Sequence, residues 1–338
     1  MGKDTETENN GKIKTDIHLV RSLIAIFVLI AMISFAITFL RVQISNASNE
    51  ELKYKYHYVF VGGEDSSRMI DSIYNETVKY GDTVGVYVET LNVPEDSEEA
   101  YADKIRMAVA MGVDGIILPA EDTDAFREAI DGATAEEIPV VTILSDCPSS
   151  LRKTLIEQDY YDLGRMYARG IIGIADVREL NIALLISDEY SGLFMDGLRD
   201  TLANEGNHLS VSLITNDVTD MPNFRLMNLV EELLTDEEQD IDILLCPDEY
   251  GTQIVYQAIK DYDLTGRAKL IGYGIAESLL RAVSTGEVSA LVYIDSVQTG
   301  MLCVDALTNY KDSGITRDVI TAENIIITKD NIERYLDE

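Results

Sequence analysis

The sequence predicts an α/β protein: two doubly wound parallel-sheet lobes joined by hinge crossovers, preceded by one N-terminal transmembrane helix. Three observations lead there. Short β-branched runs alternate with amphipathic helical stretches along most of the 338 residues. The strand candidates outnumber what one doubly wound sheet comfortably holds, so two are expected. The run Ser22–Leu40 carries no charge and is apolar on every face.

From the N-terminus, residues 1–21 form a polar tail of mixed charge, expected to be cytoplasmic. Residues 22–40 follow, bracketed by Arg21 and Arg41. As a helix this run is roughly 28 Å long, close to a ~30 Å hydrocarbon core, and is expected to be a signal anchor. A cleaved signal peptide is the competing reading. Its apolar region is usually only about 7 to 15 residues, although Ser45-Asn46-Ala47 offers a small-residue cleavage site. Residues 41–55 then read as a polar stalk. Basic residues concentrate on the tail side and the acidic excess lies beyond the span, so the body is expected outside the cell membrane on a single-pass anchor.

In the body, strands are expected at 57–61, 83–88, 115–119, 138–144 and 153–157, and at 181–186, 209–215, 242–246, 269–273, 290–294 and 324–328. Near-continuous apolar strands connected through helices imply parallel sheets covered on both faces. Amphipathic faces lie between them, such as Met69, Ile70, Ile73, Tyr74 and Thr77. Gly81, Gly112 and Gly206 are placed where helices should stop.

Composition removes whole classes of function. Lys and Arg number 27 against 60 Asp and Glu, a formal net charge of -33, which opposes binding to nucleic acid. The three cysteines, Cys147, Cys246 and Cys303, are far apart and suggest no metal or disulfide framework. No GxSxG, Walker A or HExxH pattern occurs, so no enzyme, metal or cofactor is expected. Loops that follow strands in a doubly wound sheet gather at one edge, where ligands bind. Here they carry Glu64-Asp65, Glu121-Asp122, Ser145-Asp146, Asp188-Glu189-Tyr190, Asp248-Glu249-Tyr250, Tyr273 and Asp295. These carboxylates either cap the next helix or accept hydrogen bonds from ligand hydroxyl, amine or amide groups.

Several segments in order resemble the type I periplasmic binding protein family, the fold of ribose- and galactose-binding proteins and LacI-type effector domains. They include GVDGIILPAEDTDAFREAI, IPVVTI, DYYDLGRMYARGI, FMDGLRDTLANEG and LIGYGIAESLLRAVSTGEVSALVYIDSVQTG. The resemblance spans about Tyr56 to Leu336. It implies a first lobe of residues 56–158 plus about 295–322, and a second of 159–294 plus about 323–338. It also implies a substrate-binding protein that closes on a small polar, sugar-like solute and serves an ABC permease or a sensor histidine kinase. Carried over residue by residue, the family's ligand positions fall on Asp65, Arg68, Asp159, Tyr160, Phe194 and Asp248, with Asp146 one step along from its position and Glu64, Glu249, Tyr273 and Asp295 beside them. The family's sugar-stacking aromatic pair aligns with Ser67 and Arg68, its Asp-Arg with Leu144 and Ser145, and its cleft Asn and Gln with Pro247 and Ile294. Either other residues rebuild the polar shell, or the ligand differs, or the cleft is a scaffold that binds little.

Overall fold

The computed structural model describes residues 54–63, 68–93, 97–187 and 191–336, together with Met32, Ser34 and Phe35. The chain separates into two units, Met1–Lys55 and Tyr56–Glu338. In the first unit the expected span falls almost entirely outside the described residues; Met32, Ser34 and Phe35 are helical. Among the described residues no helix is long and apolar enough to cross a membrane.

The second unit contains two six-stranded sheets. β1 (Tyr56–Gly63), β2 (Val86–Val93), β3 (Gly115–Leu118), β4 (Val140–Ile143), β5 (Thr154–Gln158) and β11 (Val319–Ala322) form the first, in the order β11-β5-β4-β3-β1-β2, all parallel. β6 (Glu179–Ile186), β7 (Ser210–Asp217), β8 (Ile243–Leu245), β9 (Lys269–Tyr273), β10 (Ala290–Ile294) and β12 (Asn324–Thr328) form the second, ordered β12-β10-β9-β8-β6-β7. Helices α1 (Arg68–Val84), α2 (Glu98–Met111), α3 (Asp124–Ala135) and α9 (Ser296–Ser313) cover the first sheet. Helices α4 (Tyr160–Ile174), α5 (Ser191–Asn204), α6 (Asn223–Thr235), α7 (Glu249–Asp261) and α8 (Glu277–Thr285) cover the second, and a short α10 (Glu333–Leu336) lies beside α8.

Strand alternation explains why helices are needed on both faces. Along β1, Val59 and Val61 join the core under α2 and α3, while Tyr58 and Phe60 join the core on the opposite face. All four are buried, so neither face can meet water.

Four points of the sequence reading need correction. The run 83–88 is not a strand throughout: α1 continues to Val84, Gly85 turns the chain at φ 74°, and β2 begins at Val86. Gly81 lies inside α1, where a Cβ would meet the Val86 carbonyl oxygen and a Val88 methyl at 2.9 Å, so it serves close packing and does not end the helix. Gly112 does end α2, in the left-handed region at φ 70°. β11 was not anticipated; it is four residues long and partly exposed, too short for its alternation to register. β12 pairs antiparallel with β10, Ala290 opposite Thr328, so the second sheet is not wholly parallel.

Glycine also determines how helices cross. A Cβ at Gly164 on α4 would stand 2.0 Å from the Phe194 carbonyl oxygen on α5, and one at Gly197 on α5 would stand 2.0 Å from the Tyr161 carbonyl oxygen on α4. The two backbones therefore touch reciprocally. On the first sheet, Gly300 of α9 lies against the Thr77 amide of α1 in the same manner, 2.6 Å from where its Cβ would be.

The chain passes between the sheets three times: from β5 to α4, from β10 to α9, and from β11 to β12. Hydrogen bonds tie these crossings together. The Asp159 amide donates to the Ala322 carbonyl (3.1 Å) and the Asp295 amide to the Glu323 carbonyl (2.8 Å). Asn324 donates its backbone N–H to Asp162 Oδ2 (2.9 Å) and its side-chain amide to the Asp159 carbonyl (2.9 Å). Gln158 Nε2 donates to Asn324 Oδ1 (2.6 Å), and the Glu323 amide donates to Gln298 Oε1 (2.7 Å).

Substitution on α4 separates crowding from propensity. Gly164→Ala is expected to lower unfolding free energy by about 3 kcal/mol or more, because backbone must move apart. Gly173→Ala, on the same helix with nothing within 4 Å, should raise it by about 0.5–1 kcal/mol. Urea unfolding followed by circular dichroism measures both; equal effects would contradict the crossing argument.

Candidate functional site at the strand ends

Among the described residues, two of the cavities lie at the carboxyl ends of the strands. The larger, about 880 Å3, takes its walls from both sheets' lobes: Phe60 and Gly62 at the end of β1, Thr90 and Asn92 at the end of β2, Arg68 and Ser72 on α1, and Ile275, Leu280 and Tyr335 opposite. The smaller, about 210 Å3, belongs to the second lobe. Ser187 follows β6, Thr219 and Asp220 follow β7, Pro247 and Asp248 follow β8, and Tyr160 and Leu163 come from the first turn of α4. At about 30 Å3 per water, the smaller cavity has room for roughly seven waters, or one compact solute.

The residues singled out in the sequence meet different fates. Glu64 and Asp65 lie outside the described residues. Tyr160 and Asp248 line the small cavity together. Phe194 also borders it, but its side chain is fully buried and packs edge-on against Tyr167 at 5.3 Å, so it is a core residue and offers no stacking face to a ligand. Arg68 lines the large cavity, and its positive charge acts on Glu249 of the other lobe.

Asp146 is taken up by an ion pair. Leu144 adopts φ 63°, and beyond this turn Asp146 receives two hydrogen bonds from Arg152, Nε to Oδ1 at 2.7 Å and Nη2 to Oδ2 at 2.8 Å. Thr142 Oγ1 donates to the same carboxylate at 2.8 Å, and Arg152 also reaches Asp318 at 2.6 Å. Both Asp146 oxygens are thus engaged in tying β4 to the β5 and β11 edge.

Asp159, Asp248 and Asp295 are N-caps. They accept from the amides of Asp162 (2.9 Å), Gly251 (2.5 Å) and Gln298 (3.0 Å), at the starts of α4, α7 and α9. Asp248 also lines the small cavity. Tyr273 is buried at the lobe boundary: its hydroxyl accepts from Gln158 Nε2 at 2.8 Å and lies 3.6 Å from the Met69 sulfur. Burial pushes this phenol well above its ordinary range.

Ser187, Thr219 and Asp220 were missed, although the NDVTD stretch after the predicted strand 209–215 is a strand-end loop of the kind that should have been inspected. Ser187 and Thr219 hydroxyls lie 3.0 Å apart, and Thr219 Oγ1 donates to Asp217 at 2.6 Å, holding that carboxylate below its usual range. Asp220 and Asp248 line the strand ends of the second lobe, and Glu157 stands near the end of β5 in the first. Burial raises Glu157, and the carboxylates of Asp146 and Asp159 raise it further. Such an edge receives hydroxyl and amine donors and repels anions. Among the described residues no cluster of His, Cys, Asp or Glu is arranged to hold a metal ion.

Glu249 provides a titration test. Burial raises its pKa, while hydrogen bonds from the backbone at Ala276 and Ile275 and the charge of Arg68 oppose the rise. A carboxyl raised in the folded state is most favourable below its unfolded pKa and costs stability as pH rises through the folded value. Glu249→Gln should therefore gain stability relative to the parent between pH 4 and pH 7. Paired urea titrations at the two pH values test this; a variant equally offset at both would contradict it.

Comparison with solved structures places this architecture among known ones. The chain is similar to a mutant XylFII-LytSN complex, at 20% identity and a TM-score of 0.68 over 82% of this chain and 99% of that chain. It is similar to AraP, an arabinose binding protein from Geobacillus stearothermophilus, at 16% identity and a TM-score of 0.71 over 83% and 99%. The sugar-binding protein of a sugar ABC transporter from Bacillus halodurans aligns at 17% identity and 0.69 over 83% and 100%. These likenesses are of fold. A search of curated proteins finds no match. Residues 58–314 match the periplasmic binding protein domain, most of the chain and nearly all of its two-sheet body, and the protein therefore belongs to the periplasmic binding protein domain family.

Proposed function

We propose that this protein is a membrane-tethered, extracytoplasmic solute receptor. Its two lobes close on a small, neutral, polar solute of carbohydrate type, and the closed form is read by a membrane partner. The observation that carries this reading is the cavity of about 880 Å3 walled by both lobes at the strand ends, beside crossings that can act as a hinge. In the second cavity Ser187, Thr219, Asp220 and Asp248 stand among apolar walls, which suits a ligand with O–H donors and an apolar face. The arabinose-binding and sugar-binding relatives in fold support a saccharide as the class. The reading is of a binder, not an enzyme.

A sensor kinase is favoured over an ABC permease as partner. A fixed anchor holds the receptor beside one partner, and the XylFII-LytSN complex is built on the same receptor fold. Ligand-dependent association with a kinase ectodomain, without ligand-stimulated uptake, is the corresponding observation. The tether itself rests on the uncharged run Ser22–Leu40. The full chain is expected to remain in the membrane pellet after alkaline carbonate extraction, and release into the supernatant would remove the anchor from the proposal.

The ligand is tested by thermal shift on the full chain in detergent, with pentoses, hexoses, polyols, amino acids and sugar phosphates. At about 100 times its Kd a ligand stabilises the native state by ~2.7 kcal/mol, a rise of several degrees in Tm. At least one neutral saccharide should produce it, sugar phosphates should not, and Asp248→Ala should abolish it. A flat response throughout would favour a non-binding scaffold, the reading suggested by the engagement of Asp146 with Arg152 and the burial of Phe194.

A further inference from the structure

Three adjacent strands of the second sheet, β8, β6 and β7, each lead into a helix, and each helix exposes a large apolar side chain in its first turn. Tyr250 on α7 and Phe224 on α6 are both 64% exposed, and Leu193 on α5 is 59% exposed. Residues of the same three loops line the small cavity: Asp248 stands two positions before Tyr250, and Asp220 four before Phe224. Asn223, next to Phe224, donates from Nδ2 to the Tyr250 hydroxyl at 2.7 Å and so links the starts of α6 and α7. Exposed aromatic side chains a few residues from a cavity that mixes apolar walls (Leu163, Ile186, Val218) with Ser187, Thr219, Asp220 and Asp248 mark a place where something flat and amphipathic is laid down.

We infer that Phe224 and Tyr250 form a second saccharide subsite at the mouth of the small cavity, so that the ligand is an oligosaccharide and not a single sugar. This deepens the carbohydrate reading above and rests on it. The cavity of about 210 Å3 accommodates one ring, whose hydroxyls meet Ser187, Thr219 and Asp248. A linked second ring then leaves the cavity on the side of α6 and α7. There its apolar face stacks on exposed aromatic surface, while its edge hydroxyls meet Asp220 and Asn223. The neighbouring carboxylates select a neutral glycan over an anionic lipid headgroup or nucleotide.

The test is isothermal titration of the full chain with xylose, xylobiose and xylotriose, and with glucose, cellobiose and cellotriose. In at least one series the disaccharide is expected to bind ten-fold or more tightly than the monosaccharide. Phe224→Ala and Tyr250→Ala should erase that advantage and leave the monosaccharide Kd within two-fold. Tyr250→Phe, which keeps the ring and loses the hydrogen bond to Asn223, should retain most of it. Both positions are exposed, and unliganded melting curves verify that the variants fold. Monosaccharides binding as tightly as their longer forms would overturn the second subsite while sparing the receptor reading. Variants that weaken every length equally would do the same, marking the rim as a lobe-closure contact. Failure of every saccharide to bind would overturn both.

Discussion

Asp162 is the buried charge on which the junction of the two lobes depends. Its carboxylate accepts the Asn324 amide and pairs with Arg165 at 3.0 Å, and Asn324 in turn binds the Asp159 carbonyl and receives Gln158. A carboxylate so far from water is tolerable only while these partners hold. The network therefore binds together strands that are more than 160 residues apart in sequence. Because it sits where the chain changes lobes, it determines which strand ends face one another, and so where a cleft can exist at all.

The doubly wound connection does the rest. Parallel strands return through helices, so every strand of a lobe delivers its outgoing loop to the same edge. Each of those loops must also start a helix, and an Asp at that point satisfies a backbone N–H. The acidic edge is thus partly a by-product of capping. Asp159 and Asp295 lie at the crossings and cap α4 and α9, whereas Asp248 caps α7 and also borders a cavity. One residue type at equivalent places in the chain serves different ends, according to what stands opposite it.

Helix crossings impose a second constraint. Gly164 and Gly197 allow α4 and α5 to meet backbone to backbone, which brings the first turn of α4, with Tyr160, beside the ends of β6 and β8. Phe194 supplies the carbonyl oxygen that Gly164 approaches, and its ring packs on Tyr167. A position that sequence correspondence assigns to the ligand is therefore occupied with the packing that shapes the cavity wall.

The α/β class, the two-lobed plan and the places of most strands were legible in the sequence. Runs such as KLIGY, ALVYI and NIIIT carry their own periodicity within a few residues, and burying them on both faces demands crossover helices. The short β11 and the antiparallel run of β12 were not legible, since orientation and edge pairing depend on partners far away in the chain. The carboxylates divide along the same line. That Asp146 follows a strand is local information; that Arg152 and Thr142 occupy both its oxygens, or that Phe194 turns inward onto Tyr167, is not. Local hydrophobic pattern determined where the chain forms strands and helices. Only tertiary contact decided which polar groups were already satisfied by the protein and which were left facing a cavity.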